Sequence, residues 1–224
     1  MSTVLAPPRR PRPSRGAGRL PPPLPPTGGG DGRDADGGPR RTGLDNAILA
    51  TMFLIAGEVM FFAGLVSAFW VLRLAAPVWP PPLQPRLPVE VTGVNTLVLL
   101  GSSLAVFAGV RALRAGWHGA ALRRLGLAAG LGALFLLIQG YEWVRLIGFG
   151  LTMSSSTYGA TFYTLIGVHG AHVLAALGWL TVTLVLLARG GFPEGRMATV
   201  RACALYWHFV VMLWPILYVS VYLS

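Results

Sequence analysis

Five long apolar stretches constrain this chain more than any other feature. They run from about Asn46 to Leu72, Gly93 to Val110, Leu125 to Leu146, Tyr158 to Ala188 and Ala202 to Leu223. At about 1.5 Å per residue, roughly 20 helical residues cross a hydrocarbon layer of about 30 Å. Barrel strands would be shorter and would alternate apolar with polar residues, and these stretches do neither. Composition agrees: apolar residues make up 54% and charged residues 12%, where a soluble domain carries about 25% charge. Mean hydropathy is +0.60. The reading is an all-α integral membrane protein, a bundle of five transmembrane helices. It excludes a soluble enzyme with a charged shell, and the single cysteine, Cys203, excludes a disulfide-stapled secreted domain.

The net charge of +10 comes entirely from arginine, since lysine is absent. No basic patch with interleaved stacking aromatics is present, so nucleic acid is not an expected partner. The arginines instead report orientation. Eight lie before residue 44, and Arg111, Arg114, Arg123, Arg124, Arg189, Arg196 and Arg201 flank the second and fourth connections. Only Arg73, Arg86 and Arg145 fall on the opposite side. The positive-inside rule then places the N-terminus in the cytoplasm and the C-terminus in the periplasm. Arg73 and Arg86 are candidates for lipid headgroup contacts, or plain interfacial anchors.

Residues 1–43 are rich in Pro, Gly and Arg and are expected to be a disordered cytoplasmic tail, because they carry too little apolar area to offset ordering entropy. Residues 44–224 form the membrane domain. Six prolines between Pro77 and Pro88 predict a rigid non-helical connection. Gly190, Gly191 and Pro193 mark the last turn. Gly64-x3-Ala68 and Gly126-x3-Gly130 are small-xxx-small patterns, candidates for close helix approach.

The residues that carry chemistry are those that do not belong in hydrocarbon: Glu58, Gln139, Glu142, His169, His172 and His208. Counted from the inner charged residue of each span, Glu58, Gln139, Glu142 and the two fourth-span histidines fall in one middle-to-outer layer, at depths of about 20 to 30 Å. His208 lies only about 10 Å in. A metal or haem site fits poorly. Neither glutamate has a histidine at i+3, and two histidines on one helix cannot take opposite faces of a haem. A self-contained proton path would need polar residues from face to face. A polar cluster that fixes helix packing fits best, with Glu58 paired to His169 or His172 and with Gln139 and Glu142 nearby.

At these same residues the sequence resembles subunit III of the haem–copper cytochrome c oxidases. Gly57-Glu58-Val59-Met60-Phe61-Phe62-Ala63-Gly64 is similar to its S-E-V-M-F-F-A-G helix. Gln139-Gly140-Tyr141-Glu142-Trp143 is similar to its Q-x-Y-E-aromatic segment, and the run from Thr161 to Val173 to its F-Y-x-x-x-G-F-H-G-x-H-V helix. Tyr206-Trp207-His208-Phe209-Val210 matches Y-W-H-F-V, the family motif on the inner side. Val211 stands where many members carry Asp, Val168 replaces the usual Phe, and Pro215 interrupts the last helix. Five spans suit a bacterial form without the first two helices of mitochondrial members.

The resemblance implies an accessory subunit of a bacterial plasma-membrane oxidase that reduces oxygen and pumps protons. The chain itself would hold no metal and no redox centre. Haem and copper would sit in partner subunits, the catalytic subunit I and the copper-binding subunit II. The chain would stabilise subunit I, support proton uptake and hold phospholipids, and Glu58 would be the family's carbodiimide-reactive carboxylate. The alternatives are subunit III of a quinol oxidase, the related accessory protein of nitric oxide reductase or, in another class, a stand-alone transporter or proton channel.

Overall fold

The computed structural model describes residues 46–82, 84, 85, 87–190 and 197–223. The expected tail, Arg86, and Gly191 and Pro193 of the last turn lie outside the described residues. Five helices follow one another: α1 (Asn46–Ala75), α2 (Val89–Arg114), α3 (His118–Gly148), α4 (Thr157–Ala188) and α5 (Met197–Tyr222). With 26 to 32 residues each, they are about 39 to 48 Å long at 1.5 Å per residue, enough to cross a bilayer and continue into both interfaces.

That overhang explains where the apolar stretches misplace the ends. The second, third and fifth helices start or stop four to seven residues beyond the greasy runs, taking Arg111, Arg114, Arg123, Arg124 and Arg201 into helical turns. Hydropathy marks hydrocarbon, whereas a helix ends where its backbone is capped. The α2 and α3 termini show this chemistry. Gly116 (φ 79°) and Gly150 (φ 89°) adopt the left-handed conformation just past each helix. The following amide then turns back, Trp117 N–H to Ala112 O and Leu151 N–H to Leu146 O, both at 2.9 Å. Both ends are Schellman closures, satisfying carbonyls that would otherwise be orphaned. At the start of α4, the Ser156 hydroxyl accepts from Gly159 N–H at 3.1 Å.

Pro215 lies inside α5, yet the helix runs through it to Tyr222. Its ring removes one backbone donor, but neighbouring helices tolerate this in a membrane bundle. The sequence expectation of an interrupted last helix is therefore corrected. The described residues of the proline-rich connection are non-helical, as expected. It is pinned by Trp79, whose ring packs edge-on against Phe69 of α1 and Tyr158 of α4.

Helices α2, α3, α4 and α5 close a ring of neighbours, with α2–α3 the most extensive pair. The first helix lies outside that ring, touching only α5 and α4 among the described helices. Its buried residues are Thr51, Phe62 and Phe69, whereas α5 buries more than half of its length. Close approach occurs at positions other than the two small-xxx-small patterns. A Cβ at Gly64 or Gly130 would meet nothing within 4 Å, and one at Gly126 would make only ordinary contact. A Cβ at Gly132 would come 2.5 Å from the Trp207 ring, and one at Gly109 would come 2.9 Å from Leu125. Glycine is frequent on lipid-facing surfaces of membrane helices as well as at interfaces, so spacing alone does not find the contact.

Candidate functional site

The first and fourth helices meet through one polar contact. Glu58 Oε2 on α1 lies 3.0 Å from His172 Nε2 on α4. The other ring nitrogen, Nδ1, lies 2.7 Å from the Val168 carbonyl one turn earlier. A carbonyl only accepts, so Nδ1 carries a proton and donates it. A single proton then sits between Nε2 and the carboxylate. The pair is either a protonated acid donating to a neutral ring or an imidazolium facing a carboxylate, and both satisfy each group's need for a partner in hydrocarbon. Phe62 packs edge-on against His172 and Phe61 lies beside it. The two side chains remain 18% and 20% exposed, so the pair opens toward the outside of the bundle.

The remaining members of the expected cluster turn elsewhere. His169 is fully buried, stacked on Trp214 at 5.0 Å with Phe135 edge-on, and neither ring nitrogen has a protein partner. Gln139 donates to the Tyr222 hydroxyl at 3.1 Å. Glu142 pairs with Arg145, one turn further along α3, at 3.2 Å. The five residues therefore divide into four neighbourhoods. His169 and His172, three positions apart, face roughly 60° apart on α4, so one looks into the core and the other toward α1. Among the described residues, no three His, Cys, Asp or Glu side chains converge as a metal would require.

The inner family motif joins a seam between α2 and α5 that the sequence does not announce. Trp207 Nε1 donates to Ser102 Oγ at 3.1 Å, and His208 Nδ1 meets Ser103 Oγ at 2.6 Å. Higher up, Trp214 Nε1 donates to Thr96 Oγ1 at 2.8 Å, and Tyr218 donates to the Val89 carbonyl at 2.9 Å. The contacts climb α2 as they descend α5, a ladder in antiparallel register. Asn95 adds a bond to the Phe135 carbonyl at 3.1 Å, tying α2 to α3. Tyr206 is buried against Trp179. With Val211 in place of the Asp many members carry, the polar neighbour of His208 is Ser103. The signal for this seam is the spacing of small polar residues in α2: Asn95 and Thr96 recur seven positions later as Ser102 and Ser103.

Arg73, at the outer end of α1, lies over the Trp70 ring at 5.6 Å, and its Nη1 is buried without a protein partner. Between α3 and α4, Gln139, Gly140, Trp143, Gly167 and Gly170 line an apolar cavity of about 310 Å³.

This fold defines a polytopic helical membrane protein with one ionisable pair, Glu58–His172, between its first and fourth helices. Residues 40–224 match the family model for cytochrome c oxidase subunit III. A cytochrome c oxidase subunit 3 of Synechocystis is 35% identical over 175 residues, covering 77% of this chain and 72% of that protein. One from Corynebacterium diphtheriae is 33% identical, covering 78% of this chain and 86% of that protein. The pig protein of the same name is also 33% identical, covering 76% and 67%. The chain belongs to the cytochrome c oxidase subunit III family, a component of a haem–copper oxidoreductase complex.

Proposed function

We propose that this chain is the accessory third subunit of a bacterial plasma-membrane terminal oxidase. It packs beside the haem-bearing catalytic subunit I, with the copper-binding subunit II in the same complex. The electron chemistry belongs to those partners. This chain stabilises subunit I, supports proton uptake and carries phospholipid. The observation that carries the reading is the Glu58–His172 pair at mid-membrane on the loosely packed α1–α4 seam. A shared proton held between two helices, and open to the outside of the bundle, suits an element that responds to protonation in a neighbouring subunit.

Removing the chain from an assembled oxidase is the direct test. The expected outcome is near-normal oxygen reduction in the first turnovers, followed by early loss of activity. Failure from the first turnover would contradict the accessory role. A hydrophobic carbodiimide gives a second test at the residue level. Glu58, on the open seam, should be modified well before Glu142, which is 5% exposed and held by Arg145. Equal labelling would remove the special standing of Glu58.

A further inference from the structure

The ring of α2, α3, α4 and α5 closes on a layer of four side chains, one from each helix: Asn95, Phe135, His169 and Trp214. Each is at most 1% exposed. Four contacts hold the layer together. Asn95 Nδ2 donates to the Phe135 carbonyl at 3.1 Å. Trp214 stacks on His169 and meets Phe135 edge-on, both at 5.0 Å between ring centres. Phe135 stands edge-on to His169 at 6.5 Å. Helices α2 and α4 lie across the diagonal of this ring and do not pack directly against each other.

This layer holds three buried polar atoms that no protein group satisfies: His169 Nδ1, His169 Nε2 and Asn95 Oδ1. The Phe135 carbonyl fixes the Asn95 amide, since only its NH₂ can donate there, so Oδ1 is an acceptor. A neutral imidazole carries one donor and one acceptor. The stacking does not use them, because Trp214 covers a face of the His169 ring and the nitrogens lie on its edge. Buried polar atoms in folded proteins are nearly always paired, with protein or with ordered water. Water both donates and accepts, and a buried molecule typically finds about two to four polar partners.

From three unpaired polar atoms in one layer at the axis of the ring, we infer that the centre of the α2–α5 bundle binds ordered water. One molecule bridges Asn95 Oδ1 to a ring nitrogen of His169 and so ties α2 to α4 across the diagonal. It donates one hydrogen to Asn95 Oδ1, and it meets the ring nitrogen as donor or acceptor according to the tautomer. The other ring nitrogen takes a second molecule, because the two nitrogens point apart. The site is separate from the Glu58–His172 pair. His172 faces α1, and both of its ring nitrogens are engaged there.

X-ray radiolytic footprinting tests this, because hydroxyl radicals formed from a bound water oxidise the side chains beside it. The sample is the chain purified from its membrane in gentle detergent, with whatever chains accompany it. Trp214 and Trp207 form a matched pair. Both lie on α5, both are at most 1% exposed, and both donate from the indole to a hydroxyl of α2. Of the two, Trp214 stacks on His169. Trp214 should be oxidised several-fold faster than Trp207. Equal rates at the two tryptophans would overturn the site. His169→Phe keeps a ring against Trp214 and removes both nitrogens, so Trp214 oxidation should fall to the rate of Trp207. Unchanged oxidation of Trp214 in that variant would also overturn the proposal, since the water would owe nothing to His169. Should the variant fail to accumulate, the comparison of the two tryptophans in the unaltered chain decides the matter alone.

Discussion

The α2–α5 seam and the α1–α4 seam solve the same problem in opposite ways. Both join helices in a medium where lipid is as apolar as leucine, so burial alone gives little preference for protein over lipid contact. The α2–α5 seam answers with a ladder of neutral hydrogen bonds sunk in close-packed aromatic rings. Trp214 and Trp207 are essentially fully buried, and their indole N–H groups end on Thr96 and Ser102. The α1–α4 seam has few contacts, and at its centre stands one ionisable pair that remains partly open. The Trp207 and Trp214 rungs of the first seam are close-packed and hold no ionisable group. The second is loosely packed and has one ionisable pair at its centre. The bundle thus combines a close-packed core with an edge that carries an ionisable pair.

Breaking the ladder should cost most. Trp214→Ala removes a ring stacked on His169 and packed on Phe135, and leaves the Thr96 hydroxyl without that donor. The expected loss is about 3–5 kcal/mol, read as thermal denaturation of the purified chain in detergent. Gly132→Val tests the same region by crowding. A Cβ there already meets the Trp207 ring at 2.5 Å, so added methyls should cost about 1–3 kcal/mol. Glu58→Leu probes the other seam. It leaves the His172 Nε2 unpaired and should loosen α1 by about 1–2 kcal/mol, while Glu58→Gln, which still hydrogen-bonds, should cost less. Limited proteolysis at the 76–88 connection would report that loosening independently of heat. Ser103→Ala should have the smallest effect, about 0.5–1 kcal/mol, because His208 borders an open cavity where water can replace the hydroxyl. Equal losses for Trp214→Ala and Ser103→Ala would erase the distinction between buried ladder and open margin.

Much of this architecture is legible in the amino-acid sequence. Hydropathy finds all five spans, because a bilayer demands about 20 apolar residues from each. Depth is legible too: counting from charged ends places Glu58 and His172 near one level, and they meet. Direction around the helix is not legible, and that is why one expected cluster becomes four separate contacts. His169, three residues from His172, points at Trp214, while Gln139 and Glu142 find Tyr222 and Arg145. The serines and threonines of α2 escape notice singly, since such residues bond to their own helix backbone, as Thr96 also does to Thr92. Only their seven-residue recurrence points to a shared face.

The central claim is that Glu58 and His172 act as a coupled pair that fastens α1 to the bundle. A double-mutant cycle measures it. Glu58→Leu, His172→Leu and the double variant are compared with the unaltered chain by thermal denaturation in the same detergent. The account predicts that the double variant is less destabilised than the two single losses combined, with a coupling of about 1 kcal/mol. Additive losses, with no coupling, would mean that the 3.0 Å contact between the two helices does not hold them together.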